Sequence, residues 1–153
     1  MTEPLPDAAP LLNQHRDGWC TAMALEFVRA TTEEVIAEWT VGPQHLQAYG
    51  IVHGGVHCGV IETLASMGAA ITAMPRGQTV VGLENHTSFV RAVRGGERLR
   101  CVARPITRGR STQVWEATVA GADGKTVATG RVRLLCLAPG TDLAGGKPEA
   151  KFG

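Results

Sequence analysis

The sequence predicts an α+β fold in which a six-stranded antiparallel sheet wraps around one long central helix. Three observations lead to this prediction. A single long segment has the apolar period of a helix, two strand-like segments precede it, and four more follow it. An antiparallel sheet with only one helix must bury its apolar face against that helix, which gives a two-layer structure.

The first two strands are predicted at 21–30 and 33–41. The letters TAMALEFVRA and EEVIAEWTV have β-branched residues and a partial alternation of apolar and polar positions, as strands do. A short polar turn separates the two segments. We therefore expect them to form a hairpin at the start of the sheet.

The long helix is predicted at 55–74. Apolar residues recur there at steps of three and four positions and form one helical stripe: Val56, Val60, Leu64, Met67 and Ile71. No other segment has this period over a comparable length. After the breaker PRGQ, four strands are predicted at 79–93, 97–108, 111–121 and 126–138, separated by turn signals, and we expect them to form a meander.

Length and charge limit the possible functions. A chain of 153 residues is enough for one domain, and a net charge of +1 gives no general field for holding a nucleic acid or an anionic membrane. The longest apolar stretch contains Glu62 and several glycines, so we expect no membrane span. Four widely spaced cysteines predict reduced thiols rather than a disulfide framework.

The two ends differ from the middle of the chain. Residues 138–153 mix glycine, proline and charge with little apolar content, which predicts a disordered tail, and the first dozen residues have a similar composition. We therefore divide the chain into an N-terminal extension at 1–17, a folded domain at 18–137 and the tail. The start lacks the basic and apolar segments of a signal peptide, so a cytoplasmic location is expected.

One segment carries a specific motif. QAYGIVHGGVHCGVIETLASMGAA is followed by VVGLE, FVRA and RGRSTQVWE, and together these resemble the acyl-CoA thioesterases of the hotdog fold. The resemblance is strongest to the PaaI-like branch, the glutamate type that includes hydroxybenzoyl-CoA, proofreading and menaquinone-pathway thioesterases. It covers residues 18–137 and implies hydrolysis of an aryl- or medium-chain acyl-CoA.

The motif also makes chemical sense for cleavage of a thioester. The reaction needs a donor for the oxygen that gains charge and a base or nucleophile for the carbonyl carbon. Gly54 and Gly55 lie at the start of the helix, where amide N–H groups have no helical partner, and we expect the Gly55 amide to polarise the carbonyl. By resemblance, Glu62 is the nucleophile or the general base, and the family leaves that choice open.

The spacing of these two groups predicts a dimer. Glu62 lies seven residues after Gly55, about 10.5 Å along a helix axis, which is too far for one helix to present both groups to one carbonyl. Two antiparallel copies of the helix bring Gly55 of one chain opposite Glu62 of the other. The resemblance implies the same homodimer, and a homotetramer formed from two dimers.

Three further residues are candidates for assisting roles. By resemblance, Gln47 and His53 orient the thioester or the attacking water, although each is also explained as loop packing or as a helix cap. Ser66 lies one helical turn after Glu62 and is suited to hydrogen-bonding its carboxylate, or to a close helix contact. A lone glutamate is more often a solvated or salt-bridged residue, but a helix enclosed by a sheet has little solvated surface.

Two other chemistries are less consistent with the sequence. His57 and Cys58 suggest a nucleophilic cysteine, yet neighbouring helix positions point in different directions. The spacing of the histidines and Glu62 fits no common zinc pattern, so we expect no metal and no required cofactor. Coenzyme A enters only as part of the substrate and product.

A basic segment is the candidate coenzyme site. By resemblance, the turn that contains Thr107, Arg108, Gly109, Arg110 and Ser111 contacts the nucleotide end of coenzyme A, and Gly82 and Arg91 lie near its path. Guanidinium groups and backbone N–H groups are suited to gripping phosphate, although a basic hairpin turn is an equally ordinary explanation. Seven arginines between 91 and 110 also predict a local positive patch.

Two alternative functions keep the same fold. Hotdog hydratases and dehydratases act on enoyl-CoA with a histidine and an acid, but their Asp-x-x-x-x-His signature is not visible. A non-catalytic acyl-CoA binder is the other alternative, and the presence of Glu62 weakens it. Phe89 stands where the most similar family members tend to have histidine, so their substrate preference does not transfer directly.

Overall fold

The computed structural model describes residues 6–148 and contains the predicted sheet and central helix. Its elements in chain order are α1 (Ala9–Gln14), α2 (Gly18–Ala22), β1 (Glu26–Ala30), β2 (Val35–Thr40), α3 (Gly54–Ala73), β3 (Thr79–Phe89), β4 (Arg98–Arg108), β5 (Thr112–Gly121) and β6 (Thr126–Leu137). Single turns of 3-10 helix lie at Pro43–His45 and Met74–Arg76. The prediction of a hotdog fold, six antiparallel strands around one long helix, is confirmed.

The order of the strands corrects the predicted meander. The sheet runs β1-β2-β4-β5-β6-β3, with every neighbouring pair antiparallel. Only β4, β5 and β6 form a meander, because α3 carries the chain about 30 Å across the sheet and returns it beside the last strand. β3 pairs with β6 from Thr79 opposite Leu137 to Phe89 opposite Ala128. Among the described residues, no strand pairs with the other side of β3.

The core lies between α3 and the concave face of the sheet. Four residues of the predicted stripe are buried on α3, but Ile61, Ala65, Gly68 and Ala69 are buried as well. The burial extends beyond one stripe because the sheet curves around the helix. At Gly68 the backbone is so close to Trp115 that an added Cβ would lie 2.9 Å from Cζ2 and closer still to two other ring atoms.

The central segment is more apolar than expected from its glutamate and its glycines, which predict no candidate membrane span. Gly54–Arg76 has 23 residues, and an 18-residue window within it has a mean hydropathy of 1.3, so by length and composition the segment is sufficient for a membrane span. However, 56% of its most apolar window is buried inside the protein, as in the core helix of a soluble fold. The segment therefore acts here as the centre of the core.

The N-terminal residues are packed rather than tail-like, which corrects the expectation for the first dozen residues as far as they are described. Ala9 and Leu12 of α1 are buried in the core. Asn13 exchanges two hydrogen bonds of 2.8 Å with the backbone of Phe27, which ties α1 to β1. Asp17 caps α2, so β1 begins at Glu26 rather than at residue 21.

The predicted tail is described as far as residue 148. Residues 138–148 form tight turns, with a hydrogen-bonded bridge between Leu143 and Gly146. Residues 149–153, and residues 1–5 of the predicted extension, lie outside the described part of the chain. The domain boundaries and the disorder of the tail remain predictions.

The contact at Gly68 can be tested by substitution. Gly68→Ala adds a methyl group against the buried Trp115 ring, and we expect a loss of about 1–3 kcal/mol of unfolding free energy, as is usual for overpacking. The matched control is Gly59→Ala on the same helix. It meets the ring of Trp19, which is 39% exposed rather than buried, so moving the ring should cost less and the gain in helix propensity should make the loss of stability clearly smaller than at Gly68. Urea unfolding measures both, and equal effects would contradict the packing argument.

Candidate active site

The start of α3 is capped by a histidine. His53 has extended backbone angles, and its Nδ1 accepts a hydrogen bond of 2.8 Å from the Gly55 N–H. This places the proton of the neutral ring on Nε2. His53 and Gly55 are both exposed at the mouth of the site. The amide predicted to polarise a thioester carbonyl is therefore accessible, but in this structure its proton is held by the neighbouring imidazole.

An aromatic ring lies against the same helix start. An added Cβ on Gly54 would lie 2.8 Å from Phe89 Cζ, so only glycine lets the ring rest there. The ring of His57 is 6.4 Å from that of Phe89, centroid to centroid. His57 is only 4% exposed, and burial lowers its pKa from 6.5 to about 4, so it is neutral at pH 7. Its Nδ1 has no hydrogen-bond partner among residues 6–148.

A depression of about 280 Å³ opens beside this helix start. It is lined by Gln47, Gly54, His57, Phe89 and Arg91, with apolar neighbours. Gln47 thus lies beside the helix start as predicted, although its Oε1 accepts a hydrogen bond from the Tyr49 amide. The Nε atom of Arg91 is also buried and unpaired within the described residues. The Arg91 Nε–H is a donor, whereas Nδ1 of the neutral His57 donates or accepts according to the tautomer of the ring.

Glu62 lies two turns further along α3, against β3. It is half-buried, and its Oε2 accepts a hydrogen bond of 3.0 Å from Asn85 Nδ2. Ser66 Oγ donates to Oε1 at 3.4 Å, as the one-turn spacing predicts. A Cβ on Gly82 would collide with Oε1, so Gly82, expected on the coenzyme path, lies directly beside the carboxylate. The arrangement holds an accessible carboxylate in a fixed direction.

Asn85 is the site residue that the sequence analysis missed. Its Nδ2 also donates to the carbonyl of Cys58 at 3.1 Å, and its Oδ1 accepts from Thr87 Oγ1 at 2.7 Å. These contacts fix the amide so that its N–H faces Glu62. The only sequence signal is a polar residue in a strand, which normally indicates an outward-facing position.

The coenzyme candidates are only partly brought together. Gly109, Arg110 and Ser111 form the turn between β4 and β5, and Arg110 and Ser111 line a depression of about 410 Å³ with Arg76 and Gln78. Thr107 and Arg108 lie at the end of β4, and Arg108 pairs with Glu33 at 2.6 Å. Arg91 lies elsewhere, beside the helix start, where it pairs with Asp123 at 3.3 Å.

The predicted positive patch is largely neutralised, which corrects that prediction. Four of its arginines pair with glutamates of the first hairpin: Arg98 with Glu26 and Glu38, Arg100 with Glu38, Arg104 with Glu34, and Arg108 with Glu33. The pairing arises because β2 lies beside β4, with Glu38 opposite Arg100. The arginine contacts hold the pKa of Glu33 and of Glu38 below the usual value.

The four cysteines are free thiols, and three of them are buried. Burial raises the pKa of Cys20 to about 12, assisted by Asp17, and that of Cys101 further. Cys58 is the half-buried one, and its carbonyl oxygen rather than its thiol contacts Asn85. Within residues 6–148, no three His, Cys, Asp or Glu side chains are grouped to hold a metal ion.

Comparison with known proteins identifies the family. A model described as "Thioesterase superfamily" matches residues 49–128. The chain is 37% identical over 134 residues to the protein Rv1847 of Mycobacterium tuberculosis, covering 86% of this chain and 94% of that protein. It is 34% identical over 110 residues to the proofreading thioesterase EntH of Cronobacter turicensis, covering 72% and 79%. The solved structure of thioesterase HI1161 from Haemophilus influenzae matches with a TM-score of 0.76 at 26% identity, covering 90% and 93%. The predicted membership in this family and its PaaI-like branch is confirmed.

The burial of His57 predicts an acid-sensitive fold. Between pH 6.5 and about 4 the unfolded chain binds a proton at this histidine while the folded chain does not, so stability falls as the pH falls through that range. Removing the titration with His57→Gln should recover about 1–2 kcal/mol of the loss between pH 7.5 and pH 5. The control is His86→Gln at an exposed histidine, which should follow the wild type. Urea unfolding at the two pH values, at one protein concentration, tests this, and an unchanged pH slope in His57→Gln would contradict it.

Proposed function

Because the chain belongs to the thioesterase superfamily and is similar to a proofreading thioesterase, we propose that it cleaves an aryl- or medium-chain acyl-CoA into a free acid and coenzyme A. One observation carries the proposal. Glu62 is a half-buried carboxylate that Asn85 and Ser66 hold beside the open edge of the sheet. A carboxylate held in this way is suited to act on an electrophilic carbon rather than to stabilise the fold.

Glu62 has two possible roles that lead to the same products. As a general base it takes a proton from water, whose oxygen attacks the thioester carbon. As a nucleophile its own oxygen attacks, and water later hydrolyses the resulting anhydride. In both cases the C–S bond breaks and the coenzyme thiolate leaves and takes up a proton. Ser66 donates to one carboxylate oxygen and Asn85 to the other, and together they fix the direction of the carboxylate toward the reacting carbon.

The carbonyl oxygen is proposed to bind at the start of the partner's α3. Within one chain, Gly55 and Glu62 are separated by two helical turns, so they do not meet. No strand pairs with the outer edge of β3 in the described part of the chain, and Leu83, Phe89 and Val90 are exposed on or directly after this strand, which suits pairing with a second copy. To receive the carbonyl, the Gly55 N–H must exchange its bond to His53 for one to the substrate.

The remaining predicted residues are proposed to position the substrate. Gln47 and His53 lie beside Gly55 and are suited to orienting the thioester or the attacking water. The coenzyme is proposed to contact the following residues: Gly82, Arg91, Thr107, Arg108, Gly109, Arg110 and Ser111. The position of Arg91 at the depression beside the helix start and the exposed Arg110 turn support this assignment best. We further propose a cytoplasmic homotetramer of two dimers that needs no metal or cofactor.

Replacement of the carboxylate tests the proposed chemistry. Glu62→Gln keeps the size of the side chain and removes its charge, so release of free thiol from benzoyl-CoA and octanoyl-CoA should fall by about 10³-fold or more while the affinity for coenzyme A stays within about threefold. The matched control is Glu84→Gln on β3, an exposed glutamate that should leave turnover unchanged. Activity that survives Glu62→Gln but disappears with Cys58→Ala would assign the chemistry to the thiol instead.

A mixed dimer tests the shared site. Glu62→Gln removes the carboxylate, and Gly55→Pro removes the proposed donor N–H in the first helical turn, where proline is tolerated. Each variant alone should be inactive. Co-expression with two different tags isolates the mixed dimer, in which one site has both wild-type groups, so about half the wild-type activity should return. An inactive mixed dimer would place both groups in one chain.

A further inference from the structure

A turn that the proposed chemistry does not use contacts a residue beside the start of the central helix. The turn connects β5 with β6 and contains Asp123. The Oδ1 atom of Asp123 accepts hydrogen bonds from the Lys125 N–H at 3.0 Å and from Arg91 Nη2 at 3.3 Å. The Lys125 N–H and the charge of Arg91 hold the pKa of this carboxyl below its usual value, so Asp123 is ionised at neutral pH. The turn therefore presents a fixed carboxylate to Arg91.

The same hairpin holds Arg91 in two further ways. The backbone N–H of Arg91 donates to the Val127 carbonyl at 3.1 Å, near the start of β6. The guanidinium lies beside Gly121 at the end of β5, where an added Cβ would be 2.5 Å from Nη2. Glycine at this position leaves the room that the guanidinium occupies. The backbone anchor, the space for the side chain and its charged partner thus all come from one hairpin.

The direction of this guanidinium matters because Arg91 lines the depression at the start of α3, together with Gln47 and Gly54. The side chain of Arg91 is 31% exposed, so a ligand can reach it. Ordering a long side chain at the moment of binding weakens affinity, whereas a side chain that is ordered beforehand avoids this loss. Asp123 accepts from one nitrogen of the guanidinium, and an arginine has five N–H donors, so others remain for the oxygen atoms of a ligand.

We propose that Asp123 is a positioning residue, which holds the Arg91 guanidinium at this depression in the direction that binds a phosphate group of coenzyme A. The inference rests on the proposed function, which gives Arg91 a contact with the coenzyme, and adds to it a residue that acts through Arg91. The side chain of Asp123 is 49% exposed, and an ion pair this open to water contributes little to stability. Loss of the pair should therefore weaken coenzyme binding without unfolding the protein.

The test compares coenzyme binding and turnover in matched variants. Asp123→Asn keeps the size of the side chain and removes its charge, so the Kd of coenzyme A by calorimetry and the KM of benzoyl-CoA should each rise at least about threefold, with kcat within about twofold of the wild type. Asp123→Glu keeps the charge and should keep both values within about twofold of the wild type. S-benzoylpantetheine has no phosphate group, so its KM should not respond to Asp123→Asn.

A double-mutant cycle shows whether Asp123 acts through Arg91. Arg91→Gln alone should raise the Kd of coenzyme A at least about tenfold, because it removes a charged hydrogen-bond donor. Adding Asp123→Asn to Arg91→Gln should then have no further effect. The matched control is Asp142→Asn, at an exposed carboxylate that pairs with Lys147 away from the depression, and it should leave Kd and KM unchanged.

Several results would overturn the inference. These are an unchanged Kd in Asp123→Asn, an equal rise in KM for S-benzoylpantetheine, and a further loss of affinity on top of Arg91→Gln. Reduced stability of Asp123→Asn in urea with unchanged affinity would likewise overturn it, since the pair would then serve only to hold the hairpin. A wild type that releases no thiol, but whose binding of coenzyme A depends on Asp123 as described, would overturn only the proposed hydrolysis.

Discussion

The close approach of α3 to the sheet is the constraint on which the site depends. The curved sheet surrounds the helix so closely that glycine is required at Gly68, under the Trp115 ring, and at Gly82, beside the Glu62 carboxylate. A charge in such surroundings loses hydration and must be compensated by donors. Glu62 meets this requirement because it lies next to the open edge of β3, where Asn85 and Ser66 donate to it.

The fold was predictable where its signals are local. The period of apolar residues placed α3 within one residue at each end, and turn signals placed the last four strands within a few residues. Alternation identifies a strand but not its neighbour, so the position of β3 beside β6 could not be derived from it. α1 has only six residues, too few to show a period, and its composition resembles that of a tail. Its packing depends on contacts with a distant strand.

The arrangement of the candidate site was predictable where spacing along one helix defines it. Gly55, Glu62 and Ser66 follow from helical geometry and from the family motif, whereas the Asn85 contact joins two elements whose register the sequence does not reveal. The arginines of β4 were misinterpreted for the same reason, since their partners come from β1, β2 and the turn between these two strands. Charges counted along one segment predict a patch only if no opposite charge is brought beside them by the fold.

The bond between Gly55 and His53 has a consequence for the proposed catalysis. Because the imidazole already satisfies the Gly55 N–H in the free protein, a neutral thioester carbonyl that replaces it gains little, as one neutral hydrogen bond is exchanged for another. The oxygen of the tetrahedral intermediate carries a negative charge, and hydrogen bonds to charged acceptors are about twice as strong. In the proposed mechanism the exchange therefore stabilises the transition state more than the bound substrate, which is the condition for a faster reaction rather than tighter binding. With this role for Gly55, the histidine cap also avoids an unpaired donor at that amide in the free protein.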